Sequence, residues 1–176
     1  MKSMGQLTKA GANMKRINKL LYLSMLLGIA LVVHVIEARI PVIFPGIKLG
    51  LANAVSLFVL ITFGGKEAIT IMILRTLIGS IFGGNIFGFF FSLAGGLLSN
   101  ISMILLYNYF KDDISIPWLS IGGAIFHNIG QLLIASIVIG DFRIYIYLPV
   151  LMIAAVITGY FTGVVCYNLK KRRLIQ

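Results

Sequence analysis

The chain has 176 residues, of which 59% are hydrophobic and only 11% are charged, and its mean hydropathy is +1.01. A soluble domain carries about 25% charged residues, so this composition excludes an ordinary water-soluble fold and predicts a protein embedded in the bilayer. The net charge of +10 is concentrated near the two ends of the chain, which indicates anchoring at a membrane surface rather than nucleic acid binding.

Six long apolar runs predict an all-α membrane protein with six transmembrane helices, because none shows the period-2 alternation of barrel strands. The second and third runs have about 15 residues each, fewer than the roughly 20 that a full span needs, so we expect both to be tucked into the protein. Pro117 is placed to begin the fifth helix. The runs cover residues 20–36, 49–63, 68–82, 86–107, 118–139 and 145–169.

Basic clusters precede the first run and follow the last one. An even number of helices places both termini on one side, and the positive-inside rule makes that side the cytoplasm. The sequence therefore predicts a basic cytoplasmic tail over residues 1–19, a single six-helix membrane domain over 20–169 and a second basic tail over 170–176. The single cysteine, Cys166, excludes an intrachain disulfide.

The stretch from Arg39 to Ala54, RIPVIFPGIKLGLANA, interrupts the helical pattern. Pro41 and Pro45 each remove a backbone donor and bias the preceding residue to an extended conformation, so the stretch cannot be a regular helix throughout. Non-helical backbone between membrane helices lies either at the surface or against a cavity. We expect an outer loop that dips back and helps to wall a binding site.

Polar residues within apolar runs mark the candidate site. A charge at the bilayer centre costs about 2.5–3.5 kcal/mol, so Arg75 should face the interior and have a partner. That partner could be structural, such as Glu37 or helix carbonyls, or it could be a ligand. In the fifth run, three polar residues on neighbouring faces favour a site over simple interhelical hydrogen bonding. The predicted pocket comprises Arg39, Lys48, Asn53, Arg75, His127, Asn128 and Gln131.

Several kinds of chemistry have no signature in the sequence. It contains no Walker motif and no Ser- or Cys-centred triad signature. Five carboxylates in all are too few for magnesium-assisted diphosphate chemistry, and His34 with Glu37 supplies too few ligands for a closed metal site. We therefore expect no catalytic residue, no metal and no intrinsic cofactor. Cations and aromatic residues near the outer side leave flavin-like, quinone-precursor and haem-like ligands open.

The segments PVIFPGIKLGLANAV, FGGNIFGFFFSLAGGLLS and GGAIFHNIGQLLIA, together with an arginine-bearing helix, resemble the bacterial membrane family of Gx transporters. That family is also labelled heptaprenyl diphosphate synthase component I and is similar to the substrate-binding S components of energy-coupling-factor (ECF) transporters. The resemblance implies a six-helix S-component-like bundle in the bacterial cytoplasmic membrane. It also implies docking, through a small-residue face of the first helix, on a transmembrane coupling subunit that works with two ATPases. The corresponding residues here are Ser24, Gly28 and Val32.

We therefore expect a non-enzymatic S component of an ATP-driven importer, which captures a vitamin-like micronutrient or a cofactor precursor on the outer side. The alternative is a noncatalytic membrane subunit, or an enzyme, of prenyl diphosphate or quinone biosynthesis. The sequence lacks the aspartate-rich DDxxD motif of prenyl diphosphate synthases, which disfavours catalysis by this chain itself.

Overall fold

The computed structural model describes residues 2–38, 51–83, 86–110 and 113–173, and within these ranges it contains helices and no strand. Arg39 and Lys48, which the sequence assigns to the pocket, lie outside the described residues. A short 3-10 helix over Phe142–Tyr147 precedes the last α-helix. The six α-helices are α1 (Lys2–Ala38), α2 (Asn53–Phe63), α3 (Gly65–Gly83), α4 (Ile86–Phe110), α5 (Ile116–Ile139) and α6 (Leu148–Arg173).

Four segments are long and apolar enough to cross a membrane, so the chain is a multi-pass helical membrane protein. They are Met14–Glu37, Phe87–Phe110, Ile116–Ile139 and Phe142–Arg172. The helix α2, with 11 residues, is about 16 Å long, roughly half of the 30 Å hydrocarbon core. The helix α3 has 19 residues but carries three charged side chains. The six predicted helices thus comprise four candidate spans and two helices, α2 and α3, that are not candidate spans because α2 is too short and α3 carries too many charges.

Several predicted boundaries differ from the observed ones. The helix α1 runs without a break from Lys2, so the segment predicted as a tail continues the first apolar helix. The gap between the second and third predicted runs, residues 64–67, is predicted to be a polar turn, but only Gly64 separates α2 from α3 and the other three residues begin α3. Gly64 has φ +108°, a conformation that side-chain-bearing residues rarely adopt, and this allows the reversal in one residue. The last helix begins at Leu148 rather than at residue 145, because the residues up to Tyr147 form the 3-10 helix.

Two predicted helix ends of α5 are confirmed. Pro117 lies in its first turn, where its missing N–H costs no hydrogen bond. Gly140 ends the helix in the left-handed conformation with φ +73°, and its N–H donates to the carbonyl of Ser136. The chain break predicted around Gly140 is therefore a glycine-capped helix end.

Glycines hold α4, α5 and α6 in close contact. A Cβ added at Gly130 of α5 would lie 2.7 Å from the carbonyl oxygen of Ala94 in α4. Added at Gly163 of α6, it would lie 2.5 Å from the Cα of Pro117 in α5. Because the opposing atoms belong to backbone, these helices approach closely only without side chains at the contact points. The three helices therefore form the tightly packed part of the molecule, with α5 in the middle.

The helix α1 lies at the periphery and packs against α2 and α3. The predicted docking residues Ser24, Gly28 and Val32 are all exposed, and no atom lies within 4 Å of the position of a Cβ on Gly28. At its other side, α1 contributes Ala30 to an apolar cluster that also contains Leu57 and Leu60 of α2. The face predicted to dock on a partner is thus a face that the other described parts of the chain leave uncovered.

Candidate binding site

A buried arginine lies at the centre of the candidate site. Arg75 belongs to α3 and is only 2% exposed, and its Nη2 donates a hydrogen bond of 3.3 Å to Oδ1 of Asn53. Asn53 is the first residue of α2 and is itself buried. The pair therefore joins the middle of α3 to the start of the half-length helix.

Several hydrogen-bond donors of Arg75 and Asn53 have no acceptor among the described residues. Nε and Nη1 of Arg75, and Nδ2 of Asn53, have no hydrogen-bond partner in the part of the chain that the structure describes. A buried donor without an acceptor costs about 1–3 kcal/mol, and more when the group is charged. Burying the Arg75–Asn53 pair therefore lowers the stability of the folded protein.

Glu37 closes the site on the side of α1. Its Oε1 accepts a hydrogen bond of 3.1 Å from the N–H of Leu51, and its Oε2 accepts one of 3.5 Å from the N–H of Ala52. The carboxylate is buried and near enough to attract the guanidinium of Arg75. Glu37 therefore ties the end of α1 to the start of α2 and provides a negative charge beside the buried cation.

The helix α4 borders the site through Gly96. A Cβ on Gly96 would lie 2.8 Å from Sδ of Met72 and 3.8 Å from Nη2 of Arg75. One turn further along, Asn100 is completely buried and its Nδ2 donates to the carbonyl of Gly96 at 2.9 Å. The absence of a side chain at Gly96 thus makes room for Met72 of α3, and Arg75 lies at ordinary contact distance from the same position.

The polar residues of α5 surround this region without all joining it. His127 is buried against Gly95, the neighbour of Gly96, and Gln131 is fully buried one turn later. Asn128 donates from Nδ2 to the carbonyl of Leu151 at 2.8 Å and so connects α5 to α6. Of the predicted pocket residues, Asn53 and Arg75 are joined directly by a hydrogen bond. His127 of α5 packs against a neighbouring face of α4, and the side chain of Asn128 bonds to α6 instead.

A small polar cavity adjoins Asn53 between α2, α4, α5 and α6. Its volume is about 10 Å³, room for about one water molecule. Sequence reasoning missed most of its hydroxyl groups, since serine and threonine are common in packed membrane helices and carry no distinctive signal singly. The lining residues are Asn53, Ser99, Met103, Ser120, Gly123, Ala124, Thr158, Gly159 and Thr162.

No metal centre is found among the described residues. They contain no group of three or more His, Cys, Asp or Glu side chains that could hold a metal ion. His34 is buried against Gly79, where an added Cβ would come within 2.6 Å of the imidazole Cδ2. Packing against a glycine accounts for the position of this histidine.

A comparison with sequence models of protein families shows which family the chain belongs to. The sequence model of the heptaprenyl diphosphate synthase component I family matches residues 26–169. The chain belongs to this family. The match runs from α1 to α6 and includes the buried Arg75 together with Glu37, Asn53 and Gly96. The name of the family describes a component, which implies a partner subunit. No curated protein and no solved structure matches the chain.

Proposed function

We propose that this member of the heptaprenyl diphosphate synthase component I family is the substrate-capturing S component of an ATP-driven importer of the ECF type. It would reside in the bacterial cytoplasmic membrane with both termini in the cytoplasm and bind a micronutrient or cofactor precursor from the outer side. The observation that carries the proposal is the buried Arg75, whose Nε and Nη1 have no hydrogen-bond acceptor among the described residues.

A charged side chain inside a membrane domain is costly and usually marks a pathway or a binding site. Here the cost is not offset by a closed network, because only one of the three guanidinium nitrogens has an acceptor in the described ranges. A group retained at the expense of stability is the signature of a functional residue. A binding role for Arg75 therefore explains more than a purely structural one.

The position of the cluster also supports capture. The helix α2 starts at Asn53, about 16 Å from its other end, so its N-terminus lies near the middle of a 30 Å hydrocarbon layer if Gly64 is near one surface. Transporters commonly place substrate sites near the midplane beside such half-length helices; here the N–H groups just before α2 already bind Glu37, and Arg75 is the group left to meet the substrate. In our proposal Arg39, Lys48, His127, Asn128 and Gln131 line or support the same pocket.

The partners in the proposal are a transmembrane coupling subunit and two ATPases. The uncovered face of α1, with Ser24, Gly28 and Val32, supports this arrangement, because small residues let a second helix approach closely. ATP hydrolysis would be provided by the partners, since the chain itself has no nucleotide-binding motif.

The first experiment is native mass spectrometry of the chain purified alone in a mild detergent after growth in rich medium. The expected result is a stoichiometric small molecule, whose mass identifies the substrate. Uptake of that molecule into cells should then require the ATPase subunits. A clean mass of the bare chain would refute capture. Unchanged uptake of an identified molecule after deletion of the ATPases would refute ATP-driven import.

The name of the family supports a second candidate, a noncatalytic membrane subunit of prenyl diphosphate or quinone synthesis. In that case the uncovered face of α1 would bind a soluble catalytic subunit instead of a coupling subunit. Prenyl transfer by a partner subunit should then rise when the chain is added in nanodiscs. An unchanged rate, with no complex seen by size-exclusion chromatography, would leave capture as the better explanation.

A further inference from the structure

We propose that the Arg75 site binds one oxyanion, a carboxylate or phosphate group of the captured molecule. The group is held by Nε and Nη1 of Arg75 and by Nδ2 of Asn53. This inference rests on the proposed capture function, because it names the chemical group that the substrate presents.

The argument begins with the imbalance of donors and acceptors. Arg75 offers five N–H groups and no acceptor, and one of its nitrogens is used by Asn53. Because that bond takes Oδ1 of the asparagine, its amide is oriented and Nδ2 is left as a further donor. Ser99, whose side chain lines the adjoining cavity, has an Oγ with no partner in the described ranges. The natural complement to this set is a group that only accepts hydrogen bonds.

Charge selects the same kind of ligand. The guanidinium remains protonated in proteins and its planar array of donors matches carboxylate and phosphate geometry. A cation would be repelled at this position, and a neutral carbonyl would use fewer of the donors. An ionised oxyanion satisfies both the charge and the hydrogen-bonding capacity of the site.

The intramolecular carboxylate does not replace this ligand. Both oxygens of Glu37 accept from backbone N–H groups, those of Leu51 and Ala52, which lie immediately before α2. Glu37 thereby balances the positive end of the helix and the charge of Arg75, while the hydrogen bond of Arg75 goes to Asn53. The incoming oxyanion is therefore expected at the guanidinium and not at the first N–H groups of α2.

The space beside Asn53 restricts the size of the bound group. The cavity of about 10 Å³ has room for about one water molecule and Arg75 is not part of its lining, so a carboxylate or phosphate reaches Asn53 and the guanidinium only when the surrounding helices move apart. A water molecule bridging Asn53 and Ser99 is the competing occupant. The two occupants differ in a measurable way, because an ion stabilises the protein in proportion to its concentration whereas water does not.

The test uses the full chain purified in a neutral detergent, with sodium phosphate and sodium acetate as probes and sodium chloride at equal ionic strength as reference. We expect phosphate or acetate to raise the unfolding temperature in a saturable manner. Arg75→Gln should weaken the apparent affinity by about tenfold or more, since it removes the charge and the guanidinium donors. Arg75→Lys should retain part of the response, because it keeps the charge without the planar array of donors.

Arg143→Gln is the matched control, because Arg143 is an exposed arginine of the same chain. Its response to both probes should equal that of the unmodified protein. If Arg75→Gln fails to fold, Arg75→Lys and Asn53→Ala carry the test. Equal responses of all variants, no response in the unmodified protein, or a lone water in an experimental map with phosphate present would each overturn the proposal.

The source of the oxyanion is distinguished in nanodiscs. Stabilisation that depends on Arg75 and appears only when phosphatidylglycerol is added to phosphatidylcholine would identify a lipid phosphate. Stabilisation by the soluble probes in phosphatidylcholine alone would identify a small molecule. If the probes bind through Arg75 but no molecule is imported, the capture function is refuted and the oxyanion site at Arg75 is supported. If import occurs equally well with Arg75→Gln, the oxyanion site at Arg75 is refuted and the capture function is supported.

Discussion

Replacing Arg75 by methionine should stabilise the purified protein by at most about 1 kcal/mol while removing its response to oxyanions. Methionine has a similar length and no polar group to satisfy, so the packing against Gly96 and Met72 is largely kept. A residue that serves binding at the expense of stability is expected to behave in this way.

The magnitude follows from the contacts of the guanidinium. An arginine in the middle of a membrane helix costs about 2.5–3.5 kcal/mol more than an apolar residue. Against this, the substitution loses one long hydrogen bond of 3.3 Å, worth about 1 kcal/mol, and leaves Oδ1 of Asn53 unpaired, which costs about 1 kcal/mol more. Glu37 keeps its two backbone donors but loses the attraction of the guanidinium. The net gain is therefore at most about 1 kcal/mol.

Thermal unfolding in detergent measures this gain as a rise of at most about 2–4 °C for a chain of this size. Arg143→Met is the control, and because Arg143 is exposed its unfolding temperature should stay within about 1 °C of that of the unmodified protein. A loss of about 2 kcal/mol or more in Arg75→Met would refute the reasoning. It would show that the guanidinium is a structural clamp whose donors are satisfied in the folded protein.

Three further predictions concern packing and charge. Gly130→Ala should destabilise by about 1–3 kcal/mol in thermal unfolding, since its Cβ would lie 2.7 Å from α4 backbone. Gly28→Ala, where no such contact exists among the described residues, should stabilise by about 0.5–1 kcal/mol, because alanine favours a helix more than glycine does. A hydrogen bond from Lys19 chiefly lowers the pKa of Glu67, so the stability from this pair is present above the ordinary value of 4.5 and lost as pH falls through the lowered pKa. Unfolding curves of Glu67→Gln and the unmodified protein should therefore differ at neutral pH and converge in acid. Asn128→Ala should lower stability by about 1 kcal/mol, because the hydrogen bond from its side chain to the carbonyl of Leu151, which connects α5 to α6, is lost.

The helical architecture could be predicted because hydropathy reports the length and burial of helices directly. The short second helix was expected from its apolar run, and Pro117 and Gly140 act through local backbone geometry that is visible in the sequence. The single-residue connection at Gly64 was not predicted. A charged pair such as Lys66 and Glu67 is as compatible with the first turn of a helix as with a polar turn.

The site could be predicted only in part. Sequence reasoning selected Arg75 and Asn53 separately and considered Glu37 as the partner of the arginine. The observed pairing depends on the depth at which α2 begins and on its rotation about its own axis, and neither is encoded in a local pattern. The hydroxyls of Ser120 and Thr162, which bond to each other at 2.8 Å across α5 and α6, likewise come together only after the helices pack.

The unbroken course of α1 has a mechanical consequence. Its 37 residues form a rod of about 55 Å, far longer than the hydrocarbon layer is thick. One end carries Glu37 beside the buried arginine, and the other end carries the basic residues that follow Lys2. A tilt of about 10° at Glu37 would displace the far end by about 10 Å, given the rise of 1.5 Å per residue. The helix is thus a lever that converts a small movement at the site into a large one at its opposite end.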